Sequence, residues 1–334
     1  MDILKKLPYL LSLLLLLTSC MEDFDPNVGT RPVLCLNSVI TAGEPVVVNV
    51  THTWLFTDTA GADDHAVKDA EVRIYANGLL VDQSEWVPQP GDLVRIEATS
   101  PTYGDAWAEV KVPLAPTAEI ISADPEFLQS WPFSADMFEV GQIIDFNIKV
   151  QLRVHDSNPV SEYYHIGFAG IGTGAILDDH GEQIMASDLL TGEINYDAEP
   201  IFSEHISEFD YVTGSDAYGF TFFTDRQFTG SSYTLHLDFS NMEYRIQAAQ
   251  YDPSLIVCEM AFTLSSVSES YYNYVNYRWQ TDDGLFGDLG DIGFTDPVWA
   301  YSNVSTGAGL VCARTPLTLT VDLRDFILAY IVQR

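Results

Sequence analysis

Basic residues are scarce in this chain of 334 residues, in which 15 Lys and Arg stand against 48 Asp and Glu and give a formal net charge of −33. Binding of nucleic acid requires Lys and Arg to neutralise phosphates, so this class of partner is excluded. Disorder does not explain the acidity, because 47% of the residues are hydrophobic and 12% are aromatic. A chain with this much apolar mass folds.

Long hydrophobic runs are also missing. The apolar stretch near the start, from Leu11 to Cys20, is only about ten residues long, whereas a membrane-spanning helix needs ~20. Lys5 and Lys6 precede this stretch, and it ends in Leu17-Thr18-Ser19-Cys20, which resembles a bacterial lipobox. We therefore predict a lipoprotein signal peptide over residues 1–19 and lipidation of Cys20. The alternative is a plain signal peptide with a chance cysteine.

The residues after Cys20 predict a flexible tether over 20–30, since Pro26, Asn27 and Gly29 prevent regular structure. Acylation of Cys20 would hold the protein on membrane lipid, because several chains together give stable attachment. Acidic residues directly behind the cysteine resemble the signal by which Bacteroidetes lipoproteins are displayed on the outer face of the outer membrane. We expect a lipid-anchored protein that faces the cell exterior.

Cysteine is rare, and the three that follow Cys20 are an odd number for an exported protein: Cys35, Cys258 and Cys312. At most one disulfide can form, and Cys258 with Cys312 is the favoured pair if both lie in one domain. Three buried reduced cysteines are the alternative. No spacing resembles a zinc site, and no metal or cofactor is expected.

Short segments rich in Val, Ile and Thr predict a mostly β fold. Between residues 31 and 115 these segments predict a small β-sandwich domain of immunoglobulin or transthyretin-like kind, which Pro113 and Pro116 end. Asn77-Gly78 predicts a type I′ hairpin turn. The predicted strands are 33–40, 44–56, 66–76, 79–84, 92–100 and 106–112.

Residues 116–334 predict a larger antiparallel β domain with one short helix. Apolar residues alternate over Ile143–His155 and Tyr233–Phe239, as in half-buried strands. Ser266-Val267-Ser268-Glu269 fits a capping box, and Val267, Tyr271, Tyr274, Val275, Arg278 and Trp279 follow at helical spacing. We expect this helix to pack on a sheet, and an aromatic platform for a ligand is the alternative.

Seven stretches resemble, in order and spacing, a Bacteroidetes outer-membrane lipoprotein family that is catalogued as a domain of unknown function. They are Leu36–Ser38, Pro45–Thr53, Val67–Tyr75, Asp156–Tyr164, Phe223–Gly230, Leu264–Tyr274 and Tyr301–Gly309. The resemblance implies a lipoprotein commonly encoded beside a TonB-dependent receptor, and it implies no reaction. For Asn303–Gly309, its best-marked feature, we expect glycines that permit close backbone approach between strands, with a binding loop as the alternative.

Catalytic motifs are missing. There is no Gly-x-Ser-x-Gly elbow and no His-Glu-x-x-His, and Gly170–Gly174 lacks the Rossmann spacing. The seven histidines are scattered singly, and the carboxylates are too abundant for any two to be paired as acid and base. We therefore name no catalytic residue and expect a protein that is not an enzyme.

An acidic, Gly-rich stretch flanked by aromatics is the best candidate for a ligand or partner contact. Aromatic rings beside carboxylates commonly hold sugars or cationic peptides. A calcium loop is the alternative, although the order of its acids does not match an EF-hand. The contact residues that we predict are Trp279, Asp282, Asp283, Phe286, Asp288, Asp291 and Trp299.

These observations predict a surface-exposed outer-membrane lipoprotein that assists a TonB-dependent nutrient-uptake system by binding ligand or receptor. Tandem β-sandwiches on a lipid tether are also how adhesins and fimbrial subunits are built, so a structural lipoprotein is the first alternative. A hydrolase whose site forms only in the folded chain is the second.

Overall fold

The computed structural model describes residues 31–54, 65–133, 141–158, 160–177, 183–186, 190–195, 199–205, 221–247, 256–279 and 301–331. These residues form three sheets and two short α-helices, so the predicted mostly β fold with antiparallel sheets and a short helix is confirmed. The strands are β1 (Leu34–Thr41), β2 (Asn49–His52), β3 (Glu71–Ala76), β4 (Leu79–Val81), β5 (Leu93–Ser100), β6 (Gly104–Lys111), β7 (Thr117–Phe133), β8 (Gly141–His155), β9 (Tyr163–Leu177), β10 (Gln183–Ala186), β11 (Leu190–Asn195), β12 (Phe222–Thr224), β13 (Ser232–Gln247), β14 (Val257–Val267) and β15 (Val311–Asp322). The helices are α1 (Glu269–Arg278) and α2 (Arg324–Tyr330), and Pro200–His205 forms a 3₁₀ helix.

The small sheet has the strand order β4-β3-β5-β6. Its hairpin turns at Asn77 and Gly78, whose φ angles of 51° and 81° are those of the predicted type I′ turn. Every second residue of β5 and β6 is buried, so one face of this sheet packs on a core and the other faces solvent.

The core under the small sheet is shared by both ends of the chain. The large sheet has the order β10-β9-β14-β15-β1-β2, with β12 paired to β9, and β1 runs parallel to β15. Leu34, Leu36 and Ile40 of β1 are fully buried together with Val311 and Ala313 of β15. The second layer of the N-terminal sandwich therefore includes a C-terminal strand, and a domain boundary at residue 115 remains a prediction.

The third sheet, β11-β13-β8-β7, packs on the other half of the large sheet. The predicted alternation in β8 is confirmed, because all six apolar side chains from Ile144 to Val154 are at most 1% exposed. The prediction for Tyr233–Phe239 ended too early. Asn241, at a φ of 52°, lies in an irregularity between Phe239 and Met242, beyond which β13 continues to Gln247.

Helix α1 begins later than its capping-box pattern indicates. Ser266 belongs to β14, and the N-cap is Ser268, whose Oγ accepts a hydrogen bond from the backbone N–H of Tyr271 at 3.3 Å. The sequence also did not predict α2, a helix of seven residues that starts after Leu323 and buries Ile327. In the described residues no helix is long and apolar enough to cross a membrane.

Residues 301–310, here called the clip, join the small sheet to the large one. The N–H of Ala308 donates to the carbonyl of Leu34, and Ser305 exchanges backbone hydrogen bonds with Trp107 of β6. The side-chain amide of Asn303 donates a hydrogen bond to the carbonyl of Val311 and accepts one from the N–H of Val311. The predicted close approach of strands is present, since a Cβ on Gly309 would lie 2.3 Å from the carbonyl oxygen of Leu36.

All three described cysteines are free, so the predicted disulfide between Cys258 and Cys312 is wrong. These two cysteines are buried and reduced, as in the alternative, whereas Cys35 is half-buried. The N–H of Leu323 donates to the carbonyl of Cys258, while Cys312 precedes Leu323 by eleven residues of nearly continuous strand. The two thiols are therefore roughly 35 Å apart at ~3.3 Å per residue, far beyond the reach of a disulfide. Burial raises the pKa of each of these two thiols to about 12, so neither is reactive.

Replacing Gly309 by alanine should destabilise the protein by roughly 3 kcal/mol or more, because φ is +111° and the added Cβ meets backbone. Gly43 is a matched control with a φ of +83° and nothing within 4 Å of its Cβ position, so Gly43→Ala should cost only about 1 kcal/mol. Denaturant unfolding of both variants measures the difference. Equal losses would contradict the role assigned to the clip.

Candidate functional site

The start of β9, the strand β12 and the helix α1 meet at one place on the outer side of the large sheet. Their rings form a cluster that we call the aromatic surface, with the ring centroids of Tyr163 and Tyr272 4.7 Å apart and those of Phe222 and Tyr271 5.5 Å apart. The aromatic surface comprises Tyr163, Phe222, Tyr271, Tyr272, Val275 and Trp279 around the buried Val267. It is the largest grouping of aromatic side chains outside the two main cores of the described residues.

Hydrogen bonds from Ser268 and Ser270 place α1 over β15. The N–H of Ala313 donates to Ser268 Oγ at 3.0 Å, and Ser270 Oγ donates to the carbonyl of Val311 at 3.1 Å. Both serines are buried, so these bonds are made away from water and fix where the helix starts. The rings of α1 therefore have a fixed position relative to the sheet.

His165 borders the aromatic surface, with its ring 4.3 Å from that of Phe222. Burial, and to a lesser extent the nearby Arg314 guanidinium, lower the pKa of His165 to about 4, so the imidazole is neutral at pH 7. Ser265 lies directly opposite His165 in the sheet and is fully buried, and its Oγ has no hydrogen-bond partner. A serine out of reach of solvent and not bonded to the imidazole is not an activated nucleophile.

Beside the aromatic surface lie three acids that we call the carboxylate network: Asp156, Glu162 and Asp225. Asp156 accepts hydrogen bonds from the backbone N–H groups of Asn158 and Gly230. Glu162 accepts from the hydroxyl of Tyr164 at 2.7 Å and from the Asn158 amide at 3.0 Å. These bonds satisfy two of the three acids and tie the end of β8 to the start of β9.

Asp225 is the exception, because it is fully buried and neither carboxylate oxygen has a hydrogen-bond partner. Burial raises its pKa, and the charges of Asp156 and Glu162 raise it further, against the lowering effect of the nearby backbone of Glu162. Both causes favour the neutral acid over the carboxylate. In the part of the chain that the structure describes, no group of three His, Cys, Asp or Glu residues is arranged to hold a metal ion.

Of the predicted contact residues, only Trp279 is described. It is half-buried at the C-terminal end of α1 and belongs to the aromatic surface. The described part of the chain resumes at Tyr301, at the start of the clip. The other predicted residues lie outside the described residues, as does Cys20: Asp282, Asp283, Phe286, Asp288, Asp291 and Trp299.

Sequence reasoning did not single out the carboxylate network. Asp156 and Asp225 stand in two of the stretches that carry the family resemblance, but 48 acidic residues in one chain hide the few that are buried. Asp225 is buried beside Asp156, which is 69 residues away in the sequence, and this placement depends on strand pairing between distant segments.

The family described as a domain of unknown function, DUF4249, matches residues 21–319 of the chain. No curated protein matches the sequence of this chain.

Asp225→Asn should stabilise the protein at pH 7. The raised native pKa means that the folded state binds more protons than the unfolded state between the ordinary and the raised value, so stability falls as the pH rises through that interval. Asparagine does not titrate, and its amide can donate to the neighbouring acids. The gain should therefore vanish at acidic pH and grow to a plateau above the native pKa, as measured by urea unfolding at several pH values.

Asp156→Asn is the matched control. It removes a carboxylate that accepts two backbone N–H groups and should destabilise the protein by about 1.5–3 kcal/mol at pH 7. Destabilisation of similar size by both substitutions would contradict the raised pKa of Asp225.

Proposed function

The chain belongs to the DUF4249 family, and from that premise we propose that it is a lipid-anchored outer-membrane protein that assists a TonB-dependent nutrient-uptake system without catalysing a reaction. The observation that carries the proposal is Leu17-Thr18-Ser19-Cys20 behind a short apolar stretch. The family match begins at residue 21, directly after the cysteine, which agrees with a mature protein that starts at Cys20.

The start of the folded part fits attachment through a tether. The first strand begins at Leu34, fourteen residues after Cys20, and the intervening sequence holds three prolines or glycines that resist regular structure over 26–32. A linker of this length spans roughly 20 Å on average. The first strand of the folded domain would then be held within roughly 20 Å of the bilayer.

The acid and base groups of the described residues favour binding over catalysis. Glu199 is buried and accepts hydrogen bonds from the Tyr233 hydroxyl and the backbone N–H of His236, which gives it a structural role. His165 is neutral and has Arg314 rather than a carboxylate beside it, so no partner orients it as a general base. These features weigh against the hydrolase alternative.

The aromatic surface and the acidic segment that leaves it at Trp279 are the contact region that we propose for ligand or receptor. Aromatic side chains supply most of the energy of typical binding sites, because they bury a large area at low entropy cost. The carboxylates at 282, 283, 288 and 291 add a charge that suits a cationic or hydroxyl-rich partner.

The longest edge strand weighs against a fimbria-like alternative. β7 has 17 residues and forms the edge of its sheet, where a donated strand would add. It carries bulges at Ile121 and Leu128, and both Pro125 and Pro132 lie within it. Bulges and prolines are the devices by which edge strands avoid pairing with another chain, so polymerisation through β7 is disfavoured.

Cys20→Ala should release the protein from the membrane fraction, because no acyl chain can be attached. Fractionation and incorporation of labelled palmitate check this, with Cys35→Ala as the control that keeps both the label and the membrane retention. Full membrane retention of the Cys20→Ala variant would contradict the lipoprotein proposal.

Trp279→Ala should reduce crosslinking and co-purification with a β-barrel receptor by roughly tenfold or more, the size of effect expected of an aromatic hot spot. Trp131 on β7 is also half-buried, and Trp131→Ala should leave the yield of receptor unchanged. The melting temperatures of both variants show whether each is folded. A folded Trp279 variant with full receptor yield would place the contact elsewhere.

A further inference from the structure

Four rings form a stacked column on the small-sheet side of the molecule, which we call the ring ladder. Trp54 stacks on His65 with the ring centroids 4.2 Å apart and the planes at 2°. His65 meets His52 edge-on at 5.1 Å, and His52 stacks on Tyr103 at 4.6 Å. The ladder draws these rings from β2, from the residues before β3 and from the turn between β5 and β6.

The outermost ring of the ladder is open to solvent. The Trp54 residue is 43% exposed although one face of its indole is covered by His65, which is 5% exposed. Exposure of a tryptophan that is held flat by a buried partner leaves its second face and edge free for contact at little further entropy cost.

The ring ladder stands at the end of the molecule where the folded chain begins. The N–H of Thr53 donates to the carbonyl of Val33 at 2.9 Å, and the N–H of Val33 donates to Thr53 Oγ1 at 3.0 Å. Val33 is thirteen residues from Cys20, which gives an average reach of roughly 20 Å, while β1 leads about 25 Å away from this end. The ladder is therefore closer to the anchor than the aromatic surface on the far end of β1 is.

We propose that the ring ladder is a membrane-contact surface, with Trp54 seated in the headgroup region of the bilayer to which Cys20 is anchored. The proposal rests on the lipid anchor proposed above. Tryptophan and tyrosine favour the membrane–water interface because their rings are apolar with a polar edge. Tethering raises the effective concentration of the surface to the millimolar range, so a contact too weak to recruit a free protein suffices to orient this one.

The negative charge of the protein determines which lipid headgroup the ring ladder can contact. Asp105, which is exposed, directly follows Gly104 after Tyr103 of the ladder, and the whole chain has a formal net charge of −33. Carboxylates are repelled by anionic headgroups within about a Debye length, ~8 Å at physiological ionic strength. The surface therefore fits a zwitterionic headgroup such as phosphatidylcholine, and contact should weaken when phosphatidylglycerol is added.

Fluorescence quenching by brominated lipids tests the contact. Full-length lipidated protein is reconstituted into phosphatidylcholine vesicles whose acyl chains carry bromine near the headgroup. A fraction of the tryptophan fluorescence should be quenched in the wild type, should stay unquenched in Trp54→Phe, and should again be quenched in the control Trp131→Phe. Phenylalanine keeps a ring to stack on His65, so the variant is expected to fold.

The outcomes separate the two proposals. If the wild type floats with vesicles but its quenching is unchanged in Trp54→Phe, the membrane-contact surface is wrong and the lipid anchor stands. If the wild type does not float with vesicles, the anchor fails and the contact fails with it. Quenching that is stronger with phosphatidylglycerol than with pure phosphatidylcholine would overturn the lipid preference.

Discussion

The parallel pairing of β1 with β15 is the constraint on which the rest of the structure depends. It joins a strand that starts at residue 34 to one that ends at residue 322, and the clip extends the same pairing toward β6. Without β15 and the clip, Leu34 and Leu36 would lose the partners that bury them. Pairing β1 with β15 closes a loop of most of the chain, and the loss of conformational entropy is offset only when the core between the sheets has formed. We therefore expect the N-terminal layers to form late in folding.

The same strand positions the aromatic surface. β15 pairs with β1 through its first residues and with β14 through the remainder, and α1 is held over it where these two pairings meet. The helix is short and weakly amphipathic, so its place is decided by hydrogen bonds of buried serines rather than by an apolar stripe. The aromatic surface is therefore rigid at its base, because buried hydrogen bonds fix the start of the helix.

The acidic residues of the chain differ in what they do, because some are exposed and a few are buried. Most acids among the described residues are exposed and act only through solubility and long-range repulsion. The three acids of the carboxylate network lie where strands from distant parts of the sequence converge, and there burial raises the pKa of Asp225. If Cys20 carries the lipid anchor that we propose, the same net charge limits which membrane surface the protein can approach.

The sequence by itself determined the class of the protein. Scarce basic residues argued against nucleic acid as a partner. Period-two alternation located β8 and the first part of β13, and Asn77-Gly78 identified a hairpin, because these two signals are local. Helix α1 was placed within two residues, whereas α2 and the extent of β13 were missed because packing overrode weak local patterns. Only the tertiary structure decided that β1 pairs with β15, that Asp225 is buried beside two other acids, and that Trp54 stands where the chain emerges. Each of these is a contact between residues far apart in sequence, and no local periodicity encodes which distant partner a strand will meet.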